Sequence, residues 1–279
     1  MPFYQKLGEI PHKRHIQFRR EDGELYSEQV FGTAGFTGVT SNLYHYNSPT
    51  MVKDILGSVD VSPKIAVECN LKSRKLEGFN VKPGKDYLES RVPIMFNVDL
   101  TIELASPPKV EEEVFYKNSD QNETVFVHNG TGVLETMFGN MEFGEGDYLV
   151  IPKGIIYRFK FDSEDNRLLI VASRSPVFTP KRYRNNFGQL LEHSPFCERD
   201  FRTPNKLVVN NGMGDYLVKI RKNGMLHDYI YASHPFDVVG WDGYLFPYAF
   251  NIKDFEPITG RIHQPPPVHQ TFESTGFVI

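Results

Sequence analysis

Two histidines and a glutamate near the C-terminal end have the residue types of an iron(II) site. His263 and His269 are separated by five residues, and Glu273 follows after three more. Two imidazoles and one carboxylate bind non-haem iron(II) and leave positions open for dioxygen and a substrate. The prolines Pro265 to Pro267 lie between the histidines and prevent a helix that would bring the three side chains together. The spacing therefore disfavours a metal site here.

A second framework in the middle of the chain consists of a glutamate, glycines and a proline at fixed intervals. Its members are Glu123 and Gly130, then Gly146, Pro152, Gly154 and Tyr157. Six residues separate the first two, and five, one and two residues separate the successive members of the second group. These spacings resemble the two motifs of the cupin family. The resemblance implies a double-stranded β-helix, or jelly-roll barrel.

The positions where cupins carry metal-binding histidines hold other residues in this chain. With four residues before the glutamate of the first motif, the two positions are Tyr116 and Asn118. With three residues they are Lys117 and Ser119, and the position in the second motif is Tyr157. Divalent transition metals favour imidazole, thiolate and carboxylate ligands. We therefore expect this barrel to hold no metal and assign no metal ligand.

β-Strands are expected to position these residues, because apolar side chains recur with a period of two along most of the chain. The even positions from Val92 to Leu104 are apolar, whereas the odd positions from Asn97 to Glu103 are polar. This alternation predicts one long half-buried strand or two strands in line. Further strands are predicted at 124–128, 133–137, 148–151, 168–172, 216–220 and 226–231.

Turn signals are frequent, and helix signals are few. Pairs of asparagine and glycine at 129–130, 139–140 and 223–224 predict hairpin turns. Pro152 is expected at a strand end because it has no N–H to donate. Short helices are predicted to begin at Ser48 and at Asn186. The chain is therefore predicted to be dominated by β-structure, as a cupin barrel with an additional β-sheet and few short helices.

Composition excludes several classes of partner. The chain of 279 residues carries 31 basic and 35 acidic residues, for a net charge of −4. This balance gives no electrostatic reason to expect nucleic-acid or membrane binding. The first residues lack the apolar segment of a signal peptide, and no apolar run is long enough to span a bilayer. We expect a cytoplasmic protein.

Longer segments of the chain are similar to homogentisate 1,2-dioxygenases in their bacterial form. They lie at 3–19, 41–45, 236–243, 247–248 and 251–255, and the segment around Trp241 is the most specific. The similarity extends over essentially the whole chain. It implies a non-haem iron(II) enzyme of tyrosine and phenylalanine catabolism, which opens the ring of homogentisate with O2 to give maleylacetoacetate. Family members have two cupin barrels, the first without metal, and assemble as homotrimers that pair into hexamers.

The resemblance also implies a division of the chain. Residues 1–262 correspond to the metal-free first barrel with its additional sheet, and 263–279 to a linker and the start of a second barrel. The iron ligands of the family belong to that second barrel. We therefore expect the chain to be the N-terminal portion of a longer enzyme, with Fe(II) bound in the complete enzyme and neither iron nor activity in these residues alone.

One residue receives a catalytic role from the resemblance. The family has a histidine, shortly after the segment that corresponds to 251–255, that acts as acid or base toward the substrate hydroxyl. His263 lies eight residues beyond Phe255 and is the best match, with His269 as the second choice. No cofactor-binding residue is assigned. The alternative is a metal-free cupin that acts as a binding or assembly module without catalytic activity.

Overall fold

β-Strands make up most of the regular structure. The computed structural model describes residues 3–67, 72–111, 114–257 and 269–279. The strands are, in chain order, β1 (Gln5–Gly8), β2 (Ser27–Ala34), β3 (Thr37–His45), β4 (Val52–Asp60), β5 (Arg91–Phe96), β6 (Leu100–Ala105), β7 (Phe115–Asn118), β8 (Asn122–Asn129), β9 (Gly132–Thr136), β10 (Gly139–Phe143), β11 (Asp147–Ile151), β12 (Ile156–Phe161), β13 (Arg167–Ser173), β14 (Phe201–Arg202), β15 (Met213–Lys222), β16 (Met225–Ser233), β17 (Val238–Gly243), β18 (Tyr248–Asn251), β19 (Glu273–Ser274) and β20 (Phe277–Val278).

Helical structure in these ranges is limited to short 3-10 turns. They lie at Gly78–Asn80, Lys181–Tyr183, Glu198–Asp200 and Ile252–Asp254. No helix among the described residues is long and apolar enough to cross a membrane.

Two seven-stranded sheets form the barrel. One sheet has the strand order β10-β9-β12-β7-β15-β16-β4, and the other has the order β14-β18-β11-β8-β13-β6-β5. Strand β15 pairs in parallel with β7, although β7 lies much earlier in the chain. An additional four-stranded sheet has the order β1-β17-β3-β2. The predicted fold class, a β-dominated cupin barrel with an extra sheet, is confirmed.

One apolar core joins the three sheets. Leu134 from the first seven-stranded sheet and Val125 and Ile170 from the second are each fully buried in the same cluster. Trp241 of β17 joins this cluster, and its indole N–H donates to the carbonyl of Phe138 over 2.8 Å. Full burial of a valine, leucine or isoleucine side chain contributes about 1.5–3 kcal/mol to the stability of the fold. The additional sheet is therefore part of the same folding unit.

The strand prediction for residues 92–104 is wrong in two respects. The segment forms the antiparallel pair β5 and β6, not a continuous or collinear strand. The side chain of Asn97 accepts the N–H groups of Asp99 and Leu100, each over 2.9 Å, and this local bonding turns the chain. In β6 the polar residues Thr101 and Glu103 are buried, whereas the apolar residues Leu100, Ile102 and Leu104 are only partly buried. The six other predicted strands are confirmed.

The predicted turns have mixed outcomes. Asn223 and Gly224 form the predicted hairpin turn between β15 and β16, with φ of 53° and 73°. The glycine at 139 begins β10 of a hairpin, but Met137 and Phe138 occupy its turn. The pair at 129–130 links β8 and β9, which belong to different sheets, so the hairpin predicted there is wrong. Strand β11 ends immediately before Pro152, as predicted.

Both predicted helices are wrong. The segment after Ser48 becomes β4, which pairs with β16 at the edge of its sheet. Near Asn186 the side chain of Asn185 accepts N–H groups of Phe187 and Gln189 at 2.9 and 3.1 Å. Such side-chain bonds to the local backbone favour a turn over a helix.

The last residues of the chain lie against the barrel. Phe272 is fully buried, and its ring lies 5.6 Å from that of Tyr148 and 6.0 Å from that of Phe250. Strands β19 and β20 form a short hairpin beside it. The prolines at 265–267 lie outside the described residues. The predicted division of the chain between 262 and 263 stays a prediction.

Candidate functional site

The side chains at the cupin ligand positions converge on one glutamate. Tyr116 and Asn118 lie two residues apart on β7, and Tyr157 of β12 is paired directly opposite Tyr116. The amide of Asn118 donates to Oε1 of Glu123 over 3.1 Å, and the hydroxyl of Tyr157 donates to Oε2 over 2.5 Å. The motif spacing therefore predicts correctly that these residues share one interior.

A guanidinium group lies beside the same glutamate. Nη1 of Arg91, at the start of β5, is 2.7 Å from Oε1 of Glu123, and its Nε is 2.5 Å from Oε2 of Glu103 on β6. Arg221 of β15 donates from Nη1 to Oε1 of Glu103 over 3.0 Å. We call Arg91, Glu103, Glu123 and Arg221 the arginine–glutamate cluster. Its two cations and two carboxylates balance in charge.

Burial and pairing control the protonation of the cluster. The four side chains are between 1% and 9% exposed. Burial alone would raise the pKa of Glu103, but Arg91 and Arg221 outweigh it and lower that pKa below its ordinary value. Burial alone would lower the pKa of Arg91, yet the two glutamates raise it. Glu103 and Arg91 are therefore ionised at neutral pH.

Three tyrosines surround the cluster. Burial raises the pKa of Tyr87, Tyr116 and Tyr157 above the ordinary value of 10.0, and the negative charge of Glu123 raises each further. Their phenol groups therefore stay protonated at neutral pH. The hydroxyl of Tyr157 acts as a hydrogen-bond donor to Glu123 and not as a phenolate ligand.

The residues of this interior do not fit an iron(II) ion. Both of its carboxylates are already occupied. The oxygens of Glu103 accept bonds from Arg91 and Arg221, and those of Glu123 accept bonds from Arg91, Asn118 and Tyr157. The remaining groups are an amide and protonated phenols, which are weak ligands for a divalent transition metal. Within the described ranges, no three or more histidine, cysteine, aspartate and glutamate side chains are grouped so as to hold a metal ion.

Sequence reasoning missed the charged half of this site. Glu103 lies at a polar position of an alternating strand, a pattern that normally indicates a solvent-facing side chain. Arg91 and Arg221 belong to no short motif. Arg91 reaches Glu103 from the preceding strand, β5, and Arg221 reaches it from β15, which is distant in the sequence. The sequence offered only a weak signal for the cluster, namely that Arg91, Glu103 and Arg221 each lie at a strand position next to apolar residues.

The histidines singled out from the sequence lie apart from this interior or cannot be placed. His263 falls outside the described residues. His269 is exposed. An oxygen of the Glu273 carboxylate accepts the backbone N–H of Lys181 over 2.9 Å. The structure therefore gives no support to an iron site formed by these three residues, and the catalytic role of His263 stays a prediction.

Comparison with known families agrees with the motif positions. The profile described as "Homogentisate 1,2-dioxygenase N-terminal" matches residues 96–252. The chain belongs to this family. The matched region contains both cupin-like motifs and three of the four members of the cluster, Glu103, Glu123 and Arg221, whereas Arg91 lies just before it.

Individual relatives carry related names. A protein of Saccharolobus solfataricus named as a dioxygenase is 37% identical over all of this chain, which spans 72% of that protein. The homogentisate 1,2-dioxygenase of Legionella pneumophila strain Corby is 24% identical over 84% of this chain, which spans 57% of that protein. These names place the family among dioxygenases.

A solved structure also aligns with part of this chain. It is a cupin-2 domain protein from Shewanella frigidimarina, 25% identical over 30% of this chain and 80% of its own, with a TM-score of 0.27.

Proposed function

We propose that this chain is the first barrel of an enzyme that opens the ring of homogentisate with O2 to give maleylacetoacetate. The observation that carries the proposal is the family match over residues 96–252. The dioxygenase relatives support it. This chain spans only part of the length of each of them. Homogentisate and O2 are the substrates that the proposal names.

The iron(II) of this enzyme is proposed to lie in a second barrel beyond the present residues. The interior of the first barrel supports this assignment, because Arg91 already supplies the cation that faces Glu123. The arginine–glutamate cluster then has a structural task, which is to hold β5, β6, β8 and β15 together. No step of the reaction is assigned to it.

His263 is proposed to move the proton of the substrate hydroxyl. A neutral imidazole near pH 7 can accept a phenol proton as the ring binds. Residues 263–279 are proposed as the linker and the start of the second barrel. The homotrimer or hexamer expected of the family is proposed for the complete enzyme, and light scattering measures it.

Iron analysis combined with oxygen uptake on homogentisate tests the proposal. The 279-residue chain should contain no stoichiometric iron and consume no oxygen. The enzyme extended by a second barrel should contain iron and consume oxygen. Iron and ring cleavage in the 279-residue chain would overturn the placement of the site. Their absence from the extended protein would favour the alternative, a metal-free binding or assembly module.

A further inference from the structure

A small pocket lies on the outer side of β7, between the first seven-stranded sheet and the additional sheet. Its walls include Gln29 and His45 of the additional sheet, and Lys117 and Ile156 of the barrel sheet. Side chains alternate between the two faces of a strand, so Lys117 points away from the interior that holds Glu123. The pocket encloses about 30 Å³. A single water molecule needs about 10–15 Å³, so the pocket admits only a reactant of very few atoms.

The amine of Lys117 has no counter-charge in this pocket. Among the described residues no carboxylate acts on it, and the neighbouring charge that does is the cation of Lys222. Burial lowers the pKa of Lys117 below its ordinary value of 10.5, and Lys222 lowers that pKa further. A lysine that is desolvated or lies beside another cation loses its proton more readily, and its uncharged amine is a nucleophile. Lys117 therefore has the environment of a reactive lysine.

The imidazole and carboxylate groups of the pocket wall are engaged in other bonds. Nδ1 of His45 is 2.7 Å from Oδ1 of Asp237, and its Nε2 is 3.0 Å from Oε1 of Gln29. Nδ1 of His234 accepts the backbone N–H of Phe236 over 3.0 Å. Neither histidine is therefore positioned by these bonds to neutralise or cover the amine of Lys117.

We propose that Lys117 is a site of reversible carbamylation by carbon dioxide. The uncharged amine attacks the carbon of CO2, an N–C bond forms as one C=O π bond opens, and the amine proton passes to solvent, which leaves a carbamate anion. The group that is added has one carbon and two oxygen atoms, and it places an anion beside Lys222 where a cation would be repelled. The hydroxyl groups of Ser48 and Ser233 belong to the same wall and can donate to the carbamate oxygens. The proposal does not rest on the ring-cleavage activity.

Carbon NMR of the 279-residue chain tests the reaction. Isotopically labelled bicarbonate supplies labelled CO2, and we expect a carbamate signal that is lost when the CO2 is removed. This signal should be absent from Lys117→Met and should persist in Lys160→Met, a matched control at an exposed lysine of β12. No carbamate signal in the unmodified chain, or the same signal in both variants, would overturn the proposal.

Chemical trapping locates the carbamate without any substitution. Alkylation converts carbamates into stable esters, and peptide mass spectrometry then measures the trapped fraction at each lysine. We expect at least about tenfold more trapped ester at Lys117 than at Lys160. Equal trapping at the two lysines, or trapping at other amines alone, would overturn the assignment. This measurement decides the question if the Lys117→Met variant does not fold.

Discussion

Arg91 and Glu123 lie in direct contact inside the barrel, with Nη1 2.7 Å from Oε1. Glu123 belongs to the motif that carries metal-binding residues in other cupins. In this chain its negative charge is compensated by the guanidinium group of Arg91. The barrel therefore retains a buried carboxylate and balances it with a cation from its own chain.

Removal of the Arg91 charge should destabilise the fold strongly. Arg91→Met leaves Glu103 and Glu123 with less compensation inside the barrel, and loss of one partner of a buried ion pair costs about 3–5 kcal/mol. Urea unfolding measures the change in the free energy of unfolding. The control is Arg199→Met on the exposed surface, which should change it little. A loss in Arg91→Met no larger than that in the control would contradict the role of the cluster.

The hydroxyl of Tyr157 should contribute a measurable part of the stability. Tyr157→Phe removes the 2.5 Å bond to the Glu123 carboxylate and keeps the ring in place. Hydrogen bonds to charged groups are worth about 1.5–3 kcal/mol, so a loss of that size is expected in chemical denaturation. Tyr244→Phe, at a half-exposed ring, is the control. Equal stability of the two variants would show that the bond to Glu123 contributes nothing.

Restoration of the histidines should not by itself create a metal site. We expect the combined variant Tyr116→His, Asn118→His and Tyr157→His to bind no zinc while Arg91 holds Glu123. Addition of Arg91→Met frees the carboxylate, and the set of three imidazoles and one carboxylate should then bind about one zinc ion per chain. Elemental analysis after dialysis measures the content. Stoichiometric zinc in the variant that retains Arg91 would refute the idea that Arg91 keeps Glu123 from binding a metal.

Stability should depend on pH through Glu103. The folded pKa of this carboxyl is lowered from 4.5, so the unfolded chain takes up its proton first as the pH falls. The stabilisation is therefore complete above pH 4.5 and is lost as the pH falls through the lower folded pKa. Urea titrations of the wild type and Glu103→Gln should differ most at neutral pH and converge in acid. A difference that stays constant down to about pH 3 would show that Glu103 is not the group responsible.

Substitution of His263 tests the proposed proton transfer in the complete enzyme. His263→Asn should lower turnover of homogentisate by about 10²- to 10⁴-fold, the usual contribution of a general acid or base, while iron content stays nearly unchanged. The pH dependence of turnover should also lose the limb that a histidine titration produces. His269→Asn is the matched comparison for the second choice. Unchanged turnover in His263→Asn would remove this residue from the active site.

Local patterns predict the strands and part of the topology. Alternating apolar residues identify six strands correctly, and Asn223 and Gly224 identify a hairpin because both adopt positive φ. The same patterns fail where long-range pairing overrides them. The segment after Ser48 is a strand because β16 supplies its hydrogen-bond partners, and no local signal shows this.

The sequence by itself determined the barrel framework and the replacement of its metal-binding histidines, because glycine, proline and ligand spacing are properties of one continuous segment. Only the tertiary structure decided what compensates Glu123. Arg91 and Glu103 lie on the adjacent strands β5 and β6, whereas Glu123 and Arg221 lie on β8 and β15, and only the folded sheets bring the four side chains together. A buried charge requires a partner that is close in space, which the sequence alone does not show. The alternation in β6 therefore suggests that its polar side faces solvent, whereas in the structure that side, with Glu103, faces the interior.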